Sequence, residues 1–102
     1  MNDWPFDQPR NCATVTTTHV MKEGRDIAYV YHDEEDDGWQ FHYAGEKSMA
    51  DCMLVALEEI VKRDPTVLEV ADIPPGWMAW REKRGAPWQR QKNEKTADPE
   101  EE

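Results

Sequence analysis

The pattern of apolar and polar positions divides the chain into strands first and a helix later. Residues 12–21 (CATVTTTHVM) are rich in β-branched side chains, which pack well on a pleated surface, and predict a strand. Lys22, Glu23, Gly24 and Arg25 supply a turn, with glycine where positive φ is wanted. Residues 26–31 follow as a second strand, so the pair predicts a hairpin. Residues 32–38 form an acidic loop. Residues 39–43 alternate strictly, with Trp39, Phe41 and Tyr43 on one face and Gln40 and His42 on the face nearer water.

The period changes after Gly45. Ser48 reads as a helix N-cap with Asp51 three residues on, a variant of the capping box. Met49, Cys52, Met53, Ala56, Leu57 and Ile60 then fall on one stripe at spacings of three and four, predicting a helix over 49–63 with Cys52 on its buried face. Lys62 and Arg63 suit the negative end of its dipole. Asp64-Pro65 stops that helix and can start a new turn, with Asp64 as its cap and Pro65 in its first position. Residues 66–71 read as a short helix or 3₁₀ turn, Pro74-Pro75-Gly76 as a bend, and 77–81 as a last strand. Residues 1–11 form an arm that Trp4 and Phe6 can pin to the body. Residues 89–102 lack any large apolar group and predict disorder, with Trp88 as the last anchor.

These elements predict an α+β fold: an antiparallel sheet of three to four strands, one long helix packed on one face, and a disordered C-terminal tail. The organisation is an arm (1–11), a single domain (12–82) and a polar tail (83–102), as befits a chain of 102 residues.

Charge sharpens the picture. The net charge is −10, and residues 1–81 alone hold 16 acids against seven bases. Such a body repels phosphate backbones, which argues against nucleic acid, and attracts basic partners. The longest apolar run, 53–57, is far short of the roughly 20 residues a membrane helix needs. The N-terminus has neither the basic start nor the apolar stretch of a secretory signal, which predicts a cytoplasmic protein with Cys12 and Cys52 reduced.

Catalytic and metal chemistry find little footing. In the acidic loop Asp33, Asp37 and Gly38 match positions of a calcium loop, but Glu35 is too long and the twelfth position is Ala44. His19, His32 and His42 lack zinc-ligand spacing. Ser48 is the sole serine, and no nucleophile elbow or phosphate loop occurs, so neither an enzyme nor a cofactor is expected. Aromatics are plentiful: Trp39, Phe41, Tyr43, Tyr29, Tyr31, Trp77 and Trp80 exceed what one small sheet and one helix bury. They are divided between a core reading and a sharper one, an aromatic patch rimmed by acids.

Tyr29-Val30-Tyr31, the acidic loop, Asp37-Gly38-Trp39-Gln40-Phe41, Gly45-Glu46, Asp64-Pro65-Thr66-Val67-Leu68 and Pro74 together resemble a family of small bacterial domains of unknown function described as immunity-protein-like. The resemblance spans residues 12–82. Many members carry Ser before the Gly-Trp pair, where this chain has Asp37. The resemblance implies a non-catalytic domain that binds and neutralises a bacterial toxin. Combined with the charge, it predicts a basic protein partner held at Asp33, Asp36, Asp37 and Glu46, with Trp39 as an anchor if its ring is exposed. The alternatives are a cytoplasmic domain with no toxin partner and a small metal-binding domain.

Overall fold

A computed structural model of the chain describes residues 4–45 and 48–92. Its centre is one mixed sheet of six strands: β1 (Ala13–Thr17), β2 (Tyr29–His32), β3 (Trp39–His42), β4 (Cys52–Ala56), β5 (Trp77–Trp80) and β6 (Gln89–Lys92). Their order across the sheet is β4-β1-β3-β2-β5-β6. All neighbours are antiparallel except β1 and β3, which run parallel with Val15 beside Gln40. The helices are short: α1 (Thr18–Met21), α2 (Leu57–Arg63), and 3₁₀ segments at Met49–Asp51 and Pro65–Val70.

The expected sheet of three to four strands with one long helix is therefore wrong. The helix over 49–63 is replaced by three elements, and only 57–63 is α-helical. The Ser48–Asp51 cap does form, with the Ser48 N–H donating to Asp51 Oδ2 at 3.0 Å, but it opens only a 3₁₀ turn. The run Cys52-Met53-Leu54-Val55-Ala56 then extends along the free edge of β1, pairing Ala13 with Ala56 through to Thr17 with Cys52. Five apolar residues satisfy a helical stripe and a strand equally well, and a β-branched neighbour with an open ladder decides between them. Cys52 is exposed as a result, not buried.

The expected hairpin between residues 12–21 and 26–31 is also absent. The chain leaves β1 at Thr18 and makes one helical turn that drives Val20 completely into the core. Lys22 and Glu23 donate back to Thr18 O, and Gly24 at φ 75° turns the chain. It re-enters the sheet one place further along, and β3 occupies the gap between β1 and β2.

The tail expectation fails in part. Gln89–Lys92 is a strand paired with β5, held further by Arg90 Nη2 donating to Glu69 O at 2.7 Å. Residues 93–102 lie outside the described residues.

The core lies on one face of the sheet. Phe6, Val20, Ile27, Val30, Trp39, Phe41, Leu57, Ile60, Val67, Val70, Ile73 and Ala79 form one buried cluster between the strands, the short helices and the arm. Trp4 and Phe6 do pin the arm: Phe6 meets Trp39 edge-on, with ring centroids 5.0 Å apart. Asp64 caps the 3₁₀ helix by accepting from Thr66 N, as its place before Pro65 predicts. The same carboxylate accepts from buried Arg81 Nη2 at 2.7 Å, while Arg81 Nε and Nη1 donate to Ile27 O and Thr66 Oγ1.

Candidate functional site

The acidic loop is folded back on the body. Asp37, at φ 59°, places its carboxylate Oδ1 2.6 Å from His32 Nε2 and its Oδ2 2.9 Å from the donating Gln8 amide. The other ring nitrogen of His32 lies 2.7 Å from Ile73 O, and the ring stacks on Trp39 at 4.1 Å. Gln8 also accepts from Trp39 Nε1 at 2.8 Å, which ties arm, loop and β3 together. Asp36 is exposed and accepts from Gly38 N at 3.0 Å, and Asp33 accepts from the Gln40 amide at 2.9 Å.

The structure thus brings Asp33, Asp36 and Asp37 together at one end of the sheet. It does not present Trp39, whose ring is only 2% exposed and packs between Phe6 and His32. The condition attached to Trp39 as an anchor is not met. Glu46 lies outside the described residues.

A different surface emerges from the strand register. Paired residues share a face, so the sheet's second face can be read across its strands. One row runs Leu54–Val15–Gln40–Tyr31–Met78–Gln91. Two residues along, the parallel pairing sets Thr17 beside His42, and the next row runs Cys52–Thr17–His42–Tyr29–Trp80–Gln89. None of these twelve side chains is Asp, Glu, Lys or Arg, although one third of the chain is charged. None belongs to the buried core cluster or to the residues packed against it. The arm, α1, α2 and the 3₁₀ helix all contribute to the other side.

The strip is aromatic at its centre and amide-lined around it. Tyr29, Tyr31, Trp80 and Gln40 are half-buried, with His42 and Met78 sunk between them. Tyr31 meets His42 edge-on at 5.9 Å, His42 Nε2 lies 3.0 Å from Gln40 Oε1, and Trp80 Nε1 donates to Gln91 Oε1 at 3.4 Å. Burial, and secondarily the neighbouring Tyr29, pushes the Tyr31 phenol above its ordinary value, which keeps it neutral and a donor. Asp33 borders the strip through its bond to Gln40. The parity of residues 29 and 31, 40 and 42, and 78 and 80 is visible in the sequence, but only the pairing shows that the three sets share one face.

At the opposite end of β3 an open cleft of about 300 Å³ is lined by Gly24, Arg25, Asp26, Ala28, Tyr43, Ala44 and Glu82. Its lining holds one cation, Arg25, and two acids, Asp26 and Glu82, and Arg25 lies over the Tyr43 ring at 5.7 Å. Among the described residues no group of three or more His, Cys, Asp or Glu could hold a metal ion. No described helix is long and apolar enough to cross a membrane.

No family model, no curated protein and no solved structure matches the chain. The fold and the strip therefore carry the functional argument by themselves.

Proposed function

We propose that this chain is a non-catalytic protein-binding domain that receives a partner on the second face of its sheet, the partner having an apolar centre and a basic rim. The observation that supports this reading most directly is the twelve-position strip without a charge in a chain of net charge −10. Interface centres are depleted of charge and enriched in Tyr, Trp and Met, and the strip holds two Tyr, one Trp and one Met. The acidic body around it attracts a basic surface from a distance, while the strip supplies contact once the two meet. A basic bacterial toxin, neutralised by such a contact, is the partner that the motif resemblance implies.

The test compares capture of basic proteins from a bacterial lysate by the wild type and by Tyr29→Ser and Trp80→Ser variants. A captured partner is then purified and its affinity measured. Central aromatic anchors are worth about 2 kcal/mol or more, so each variant is expected to weaken binding about 30-fold or more. A partner bound equally by wild type and both folded variants would place the interface elsewhere.

A further inference from the structure

The two edges of the sheet are unlike. The β6 edge, Gln89-Arg90-Gln91-Lys92, carries two cations, a device that blunts pairing with another chain. The β4 edge, Cys52-Met53-Leu54-Val55-Ala56, has no charge, no proline and no bulge in its five-residue ladder. Its middle residue, Leu54, is 70% exposed, and Met49 just before it is 90% exposed. An uncharged apolar edge of this kind is a template for another strand.

The backbone groups of that edge can be counted. Leu57 N donates to Cys12 O, and Leu57 lies opposite Cys12 in the β1–β4 register. Alternation then turns the N–H and C=O of Val55 and Met53 toward β1, and those of Ala56, Leu54 and Cys52 outward. Of the outward groups, Cys52 N–H is already given to Met49 O. Ala56, as N-cap of α2, directs its C=O to the first helical bond. Left over are Leu54 N–H, Leu54 C=O, Ala56 N–H and Cys52 C=O, two donors and two acceptors.

We propose that β4 is the seam of a homodimer, two copies pairing their β4 strands antiparallel about a two-fold axis at Leu54. In that register Leu54 N–H and C=O exchange bonds with Leu54 of the second copy, and each Ala56 N–H donates to the other copy's Cys52 C=O. The leftover set is used up with nothing unpaired on either side, which is the self-complementarity a two-fold interface requires. In this register the two withdrawn groups, Cys52 N–H of one copy and Ala56 C=O of the other, face each other, so neither leaves a partner unpaired. The two sheets become one, and the two Leu54 side chains meet on the second face. The charge-free row then continues from one copy into the next.

The seam is short, well below the roughly 800 Å² per partner of standard interfaces, so association is weak and depends on concentration. Each copy carries net charge −10, and the register turns the residues just before β4 of one copy, which include Asp51, toward the first turn of α2 of the other, which holds Glu58 and Glu59. Screening this repulsion strengthens the dimer as salt rises. The proposal does not rest on the partner reading above, because the seam and the aromatic centre of the strip involve different residues.

Sedimentation equilibrium from about 10 μM to about 1 mM, at low and at high salt, tests it directly. The mass is expected to rise from 11.9 kDa toward twice that value, at lower concentration in high salt. Leu54→Lys places a cation on the seam, and is expected to hold the protein at its monomer mass with an unchanged far-UV spectrum. Amide exchange of the wild type gives a readout that needs no variant. Leu54 and Ala56 are expected to exchange more slowly as concentration rises, with Met53 and Val55 unaffected. A monomer throughout the range, a dimer that persists in folded Leu54→Lys, or Leu54 and Ala56 amides indifferent to concentration would each overturn the proposal.

Discussion

Arg81 is among the most heavily engaged side chains of the described residues. Its guanidinium donates to Ile27 O, Thr66 Oγ1 and Asp64 Oδ2, and lies 4.0 Å from the centre of the Trp88 ring. Both members of the Arg81–Asp64 pair are almost fully buried, so removing Asp64 leaves the Arg81 charge buried without its ion-pair partner. Asp64→Ala also removes the cap on the 3₁₀ helix. We expect it to cost about 3–5 kcal/mol in denaturant unfolding, within the range for broken buried pairs. Tyr31 supplies a residue-scale pH effect. Burial raises its pKa in the folded state above the ordinary value of 10.0. The folded state then holds the phenolic proton more tightly than the unfolded chain does. Stability is therefore complete below the ordinary value and declines as pH rises through the raised one. The midpoint of unfolding measured across that window should fall more steeply for the wild type than for Tyr31→Phe.

At the scale of elements, β6 changes an expectation about the C-terminus. Its four residues are all exposed, yet they pair with the whole of β5, from Trp77 beside Lys92 to Trp80 beside Gln89. Ending the chain at Trp88 removes that ladder and leaves β5 as an edge. The loss is expected to be about 2 kcal/mol or more, from several backbone hydrogen bonds of about 0.5–1.5 kcal/mol each, read as a lowered midpoint. Polar composition hid this strand, because an edge exposed on both faces has no apolar alternation to reveal it. The strand at 39–42, by contrast, was legible, since Trp39 and Phe41 alternate with Gln40 and the core takes the aromatic pair. Asp64-Pro65 was legible too, because its geometry is local. The stretch 52–56 was not: its pattern fits both periods, and the deciding neighbour, β1, is about 40 residues away in sequence. The acidic loop was found by composition. Its bonds to His32 and Gln8 depend on contacts that no spacing encodes.

For the molecule as a whole, the acidic charge makes encounter with a basic partner depend on salt. On the proposed reading, a basic partner would be drawn in by a field that fades as the Debye length falls from about 30 Å at 0.01 M to about 10 Å at 0.1 M. Its association rate should drop over that range, and stopped-flow mixing would show it. Neutralising the exposed acids Glu34, Glu35 and Asp36 to Gln or Asn should lower the on-rate more than it raises the off-rate, because rim charges act on encounter. Asp37 is unsuited to that test, since its carboxylate also holds His32 and Gln8. A salt-insensitive rate would mean that the acidic field takes no part in recognition.

The place of β1 in the sheet has a consequence in time. Val15 needs Gln40 on one side and Leu54 on the other, and both are encoded later than Val15 itself. As the chain leaves the ribosome, its first strand has no partner to pair with. The β2–β3 hairpin can close on its own within microseconds, whereas β1 gains its first partner only with β3 and its second only once residues through Ala56 have emerged. During that wait a β-branched segment stands unpaired. Folding of this small domain is accordingly expected to be governed by the late, long-range capture of its earliest strand.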